Sequence, residues 1–146
     1  MKNYLEKLIK VVNEEDWNKL RTIDLKTSKL KDYLTILLDN RNHEFPSNKE
    51  LRIRLKIGDN LHRKMKSVLL LKCYDILAPK GGLQLLDLLS RYRLYENFTR
   101  EVERQEKEII QKKANKEKSE FYYHVFQDYR RLPYSMADIS KLEYYS

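Results

Sequence analysis

The chain of 146 residues has a net charge of +8, with 36% charged and 41% hydrophobic residues. This composition is typical of one water-soluble domain with a modest core, and we expect a single helical domain over residues 1–146. Only three glycines and three prolines occur, which leaves little material for the tight turns of a β-sandwich or β-barrel. The N-terminal residues do not resemble a secretory signal and no apolar run is long enough to cross a bilayer, so we expect a cytoplasmic protein without a membrane partner.

The N-terminal helices are predicted within residues 1–45. Apolar residues after Tyr4 recur at helical spacing, which predicts a first amphipathic helix. Asn13 is suited to cap a second helix whose first turn is acidic, and Thr27 or Ser28 is suited to cap a third. A proline and several Asn and Asp residues follow, and they predict a loop at the end of this part.

Residues 46–80 form a basic segment that resembles a helix–turn–helix, and residues 49–57 within it permit two interpretations. Apolar and basic residues alternate there, which is a strand pattern, whereas Ser47 and Glu50 form a capping box typical of a helix start. A lone strand would leave its backbone groups unpaired in a chain without other strand signals, so we favour a short helix. A turn follows, and Asn60 is suited to cap the next helix, which ends near Ala78. We expect its inward stripe to consist of Leu61, Met65, Val68, Leu69 and Ile76.

The positive charge is concentrated in residues 49–66, which hold seven Lys and Arg against two Asp and Glu. A helix–turn–helix would place residues 61–66 at the N-terminal end of a second helix, where side chains that contact bases would lie. The same cations could instead contact an acidic partner protein. The candidate contact residues are Arg52, Arg54, Lys56, Arg63, Lys64 and Lys66.

Residues 81–146 predict pairs of helices. The leucine-rich stretch up to Tyr92 is apolar almost all round, which indicates a helix buried between neighbours. After a short break near Tyr92 and Arg93, a long helix should extend to about Lys118, and its charged part from Arg100 onward should be a solvated face.

Two further helices are predicted, one after Ser119 and one after Ser135. The first of them contains a cluster of aromatic residues, most of which should pack in the core. Tyr123 and His124 fall off its apolar stripe, and they are therefore the candidate residues that face a partner.

Recognisable catalytic or ligand-binding motifs are absent from the sequence, which has no nucleophile elbow and no glycine pattern for phosphates or dinucleotides. His43, His62 and His124 lie far apart, and we expect isolated surface or half-buried side chains rather than metal ligands. Cys73, the only cysteine, lies in an apolar stretch and should be a small buried residue, so no intramolecular disulfide is expected. We therefore predict no catalytic residue, no metal and no cofactor, and a protein that is not an enzyme.

Four stretches carry a resemblance to known proteins: EKLIKVVNEEDWNKL, LHRKMKSVLLLKCYDILA, LLDLLSRYRLYENFTREVERQEKEIIQKKA and SEFYYHVFQDYR. Their order is similar to that of a group of uncharacterised bacterial tetratricopeptide-like proteins. In that group an N-terminal helical region leads into helix pairs of α-solenoid type. The resemblance implies a scaffold or adaptor role and assigns no catalytic residue.

Together these observations predict an all-α domain of six or seven helices that pack as antiparallel pairs. We expect a non-catalytic adaptor, regulator or inhibitor that acts by protein–protein interaction. The alternative is a nucleic-acid-binding protein that uses residues 49–66.

Overall fold

The computed structural model describes residues 3–112, with side chains to residue 108. This part of the chain contains seven α-helices and no strand, which confirms the predicted all-α fold. The helices predicted after Ser119 and Ser135 lie outside the described residues, as do Tyr123 and His124. The helices are α1 (Tyr4–Val11), α2 (Glu14–Arg21), α3 (Ser28–Asp39), α4 (Asn48–Leu55), α5 (Asp59–Leu77), α6 (Gly82–Arg91) and α7 (Tyr95–Lys112).

Side-chain caps begin the first four helices. The side-chain oxygens of Asn3, Asn13, Thr27 and Ser47 each accept a hydrogen bond from the backbone N–H three residues later. These bonds satisfy amide groups that have no partner inside the helix. The caps predicted at Asn13 and Thr27 are therefore confirmed, and the cap at Ser47 shows that residues 48–55 form a helix rather than a strand. The fifth helix differs from expectation, because its N-cap is Gly58 instead of Asn60.

The connection between α4 and α5 is a tight turn of three residues. Lys56 adopts a left-handed conformation with φ of 56°, and its N–H donates to the carbonyl of Ile53. The N–H of Ile57 donates to the carbonyl of Arg52, 3.0 Å away. This pair of bonds is a Schellman motif, which ends one helix within a single residue and lets the next begin at once.

One compact unit ends at Gly81 and contains α1 to α5. Within it, α5 packs against α1, α2 and α3, and α3 also contacts α4. The core between these helices is mainly leucine, with Tyr33 fully buried among them. Trp17 links α2 to the end of α3, because its indole N–H donates to the carbonyl of Leu38 at 3.2 Å.

A second compact unit begins at Gly82, and its described helices are α6 and α7. The predicted break between them is confirmed: Arg93 adopts a left-handed conformation and closes α6 with a second Schellman motif. The side-chain amide of Gln105 donates to the carbonyl of Gly82 at 3.3 Å, so the later part of α7 lies beside the start of α6. The two helices are therefore antiparallel. The leucines of α6 expected to be buried are buried: Leu85, Leu86, Leu88 and Leu89.

The charged part of α7 is not solvated throughout, contrary to the prediction. Glu101 and Gln105 are both buried. The guanidinium of Arg104 donates to the Glu101 carboxylate and also to Glu108, so the buried carboxylate is paired. The charged side chains of this part of α7 therefore pair with one another along the helix as well as contacting water.

Candidate interaction surface on α4 and α5

Exposed apolar side chains are concentrated on α4 and α5. Five large hydrophobic residues are exposed in the described part of the chain, and four of them lie on these two helices. Ile53 is 66% exposed, Leu61 45%, Val68 39% and Leu71 48%, whereas the fifth, Val11, belongs to α1. The prediction that Leu61 and Val68 face inward is therefore wrong. We call the outward side of α4 and α5 the α4–α5 surface.

The orientation of α5 follows from the residues that it buries. Met65, Leu69, Cys73 and Leu77 recur every four residues on one face, and His62 continues this face toward the N-terminus of the helix. This face packs against the helices that precede it. Val68 and Leu71 lie on the side of the helix away from this face, whereas Leu61 lies at the edge of the buried face, one turn before Met65. All three are in contact with water.

Two of the six candidate cations are paired with one carboxylate. The guanidinium of Arg52 on α4 lies 2.7 Å from Oδ1 of Asp59, and that of Arg63 on α5 lies 3.2 Å from Oδ2 of the same residue. Asp59 is the first residue of α5, where a negative charge is also favoured by the helix dipole. The arrangement fixes α4 relative to the start of α5 and reduces the positive charge shown to a partner.

A third candidate cation, Lys66, is half-buried and has a structural partner. Its ammonium group donates to the side-chain oxygen of Asn48 at 3.0 Å, which links α5 to the start of α4. Burial lowers the pKa of Lys66, and Glu6 on α1 opposes this change. In turn, burial raises the pKa of Glu6, while Lys66 and Lys10 lower it.

The remaining candidates, Arg54, Lys56 and Lys64, are exposed. None of them forms an ion pair with another residue in the described part of the chain. These three side chains, together with Lys72 further along α5, lie on the same helices and their connecting turn as four of the exposed apolar residues. The α4–α5 surface thus contains apolar groups as well as cations, where the sequence predicted cations alone.

Beneath this surface lies a buried hydrogen-bonded pair. Nε2 of His62 lies 3.0 Å from the hydroxyl of Tyr33 on α3, and the two ring centroids are 5.2 Å apart. His62 is only 2% exposed, so the expectation of a surface or half-buried histidine is wrong at this position. Burial lowers the pKa of His62, and the nearby charges of Lys66 and Arg52 lower it further, against the opposite effect of Asp59. Burial also raises the pKa of Tyr33, so both rings are neutral near pH 7.

Cys73 is buried as predicted. Burial raises the pKa of its thiol to about 12, so the thiolate that would act as a nucleophile is not formed near neutral pH. Both His62 and Cys73 therefore contribute to the core of the first unit and are shielded from solvent.

The exposed apolar residues could have been identified from one feature of the sequence. Val68, Leu69, Leu70 and Leu71 are consecutive, and successive helical residues are rotated by about 100°, so four of them cannot share one buried face. By contrast, the partner of His62 could not have been identified, because Tyr33 lies 29 residues away in the sequence.

No group of His, Cys, Asp and Glu residues within the described ranges is arranged to hold a metal ion. Of the helices in residues 3–112, none combines the length and apolarity needed to span a membrane. No protein-family model, curated protein or solved structure matches the chain.

Proposed function

We propose that this protein is a non-catalytic interaction protein, an adaptor or regulator that binds an acidic partner protein through the α4–α5 surface. The observation that carries this proposal is the concentration of exposed apolar side chains on α4 and α5 among exposed cations. Apolar groups give binding free energy when they leave water, and surrounding charges select the partner and accelerate the encounter.

The presence of exposed apolar groups beside the basic groups favours a protein, rather than a nucleic acid, as the partner. A nucleic acid is held mainly by phosphate contacts from Lys and Arg, which need no exposed leucine or valine side chains. Two of the arginines suited to such contacts, Arg52 and Arg63, are already paired with Asp59. The side chains best suited to acid–base or nucleophilic chemistry, His62 and Cys73, are buried beneath the surface.

The proposal can be tested by capture from a native lysate with matched variants. Wild type should retain specific proteins after nuclease treatment, and Leu71→Asp should lose them, because a charge replaces an apolar contact. Val11→Asp is the control, since Val11 is similarly exposed but lies on α1. Equal capture by wild type and Leu71→Asp, or loss of all capture after nuclease treatment, would contradict the proposal.

Nucleic-acid binding is the second candidate, and the short turn between α4 and α5 is the observation in its favour. A helix of eight residues, a turn of three and a longer helix follow one another, and Lys64 and Ser67 are exposed on the first turns of α5. A recognition helix presents its N-terminal residues to base edges in this way. A mobility shift with duplex DNA at low salt, lost as salt is added, would support this candidate. Absence of any shift at low salt would exclude it.

A further inference from the structure

The exposed apolar residues of α5 form a stripe along the helix that includes one lysine. Leu61, Val68 and Leu71 are separated by seven and three residues, and Lys64 lies between the first two at helical spacing. Lys64, Val68 and Leu71 therefore lie on the side away from the buried face, and Leu61 lies at the edge of that side, one turn before Met65. At a rise of 1.5 Å per residue, the stripe is about 15 Å long, or nearly three turns.

A stripe of this shape is complementary to another helix. Side chains at spacings of three and four residues form ridges and grooves along a helix, and a second helix with the same spacing can interlock with them. An extended peptide, in contrast, gains most of its affinity from unpaired backbone groups at the edge of a sheet, and α5 offers none because its backbone bonds are internal.

The charges beside the stripe indicate the composition of the partner. Lys64, within the stripe, and Lys72, at its edge, are both exposed. Neither forms an ion pair with any residue from 3 to 108. Glu or Asp residues on the flanks of a partner helix would lie opposite these cations. Asp75 follows Leu71 by one turn, so a basic residue of the partner is favoured at that end only.

We propose that the outer side of α5 binds an amphipathic helix of a partner protein, with acidic residues on the flanks of its apolar stripe. This inference rests on the proposed function, because it names the kind of segment that the α4–α5 surface takes. It also predicts that the bound segment need not be folded beforehand, since α5 can order a short amphipathic peptide as a helix.

The inference can be tested by selecting random peptides of about 16 residues, enough for about four helical turns, on the full-length protein. Enriched peptides should carry apolar residues at spacings of three and four residues, with Asp and Glu beside them. Their circular dichroism should show a gain of helix on binding. Fluorescence anisotropy should show at least about tenfold weaker binding to Leu71→Asp and to Lys64→Glu/Lys72→Glu, and unchanged binding to Val11→Asp.

The outcomes separate this inference from the proposed function. Enriched peptides that bind the α5 stripe without acidic residues, or without gaining helix, would overturn the inference and leave the interaction function in place. If Leu71→Asp leaves both the peptide binding and the protein capture unchanged, both proposals are overturned. Competition of short duplex DNA with the peptides would likewise overturn the protein partner in favour of a nucleic acid.

Discussion

The buried pair of His62 and Tyr33 makes a quantitative prediction about stability. Tyr33→Phe removes one hydroxyl and leaves Nε2 of His62 without the partner that lies 3.0 Å away. A lost hydrogen bond costs about 1 kcal/mol, and a buried polar atom left unsatisfied raises the cost to about 3 kcal/mol. We therefore expect urea unfolding near pH 8 to show a free energy of unfolding lower by about 1–3 kcal/mol.

The same pair predicts how stability changes with pH. Because the pKa of His62 in the folded protein is lower than the ordinary value of 6.5, the unfolded chain binds the proton more readily. The free energy of unfolding should be fully maintained above that value and should fall as pH decreases through 6.5, by at most about 1.4 kcal/mol per pH unit. Measurements should stay above about pH 5.5, since the raised pKa of Glu6 acts in the opposite direction at lower pH.

Two variants decide whether His62 causes this dependence. His62→Gln keeps a hydrogen-bonding side chain beside Tyr33 but does not titrate, so the decrease between about pH 8 and pH 5.5 should become smaller. His43→Gln is the control, because His43 is exposed, and it should retain the wild-type dependence. If His62→Gln and wild type show the same dependence, the reasoning is refuted.

Four substitutions test the backbone and the core by thermal or urea unfolding. Gly81→Ala should lower the free energy of unfolding by about 1–2 kcal/mol, because Gly81 has φ of +62°, whereas Gly58→Ala, at φ of −82°, should have a much smaller effect. Lys56→Gly should raise the free energy of unfolding by about 1 kcal/mol, because Lys56 ends α4 in a left-handed conformation that glycine adopts without strain. A decrease in the free energy of unfolding would show that the lysine side chain stabilises the fold by more than the strain destabilises it. Leu69→Ala should cost about 2–5 kcal/mol, because Leu69 is fully buried, and a loss below about 1 kcal/mol would contradict the packing described for α5.

Local sequence signals predicted the boundaries of helices better than the exposure of their faces. The capping oxygen of Ser47 acts within one turn, so the helical state of α4 could be inferred despite the alternating pattern of residues 49–57. The burial of Cys73 was also predictable, because its neighbours are nearly all apolar. The run from Val68 to Leu71 shows that some of its members must be exposed, but which of them are exposed depends on the side that the other helices cover.

At the candidate site, too, local features could be predicted from the sequence, whereas contacts between helices could not. The sequence located the basic segment, but the pairing of Arg52 and Arg63 with Asp59 depends on the turn that brings α4 beside the start of α5. The pairing of His62 is not predictable from its neighbours, because the residue that satisfies it, Tyr33, belongs to another helix. The exposure of Leu61 and Val68 differs from the prediction because an apolar side chain usually lies in the core, and this rule cannot identify the apolar residues that stay exposed.

The double pairing of Asp59 makes one side chain responsible for holding two of the surface's positive charges. Replacement by asparagine would release two guanidinium groups from different helices in a single step. A chain altered in that way would discriminate less well between acidic helices and phosphate backbones. Selectivity would then be set by a residue that need not touch either ligand.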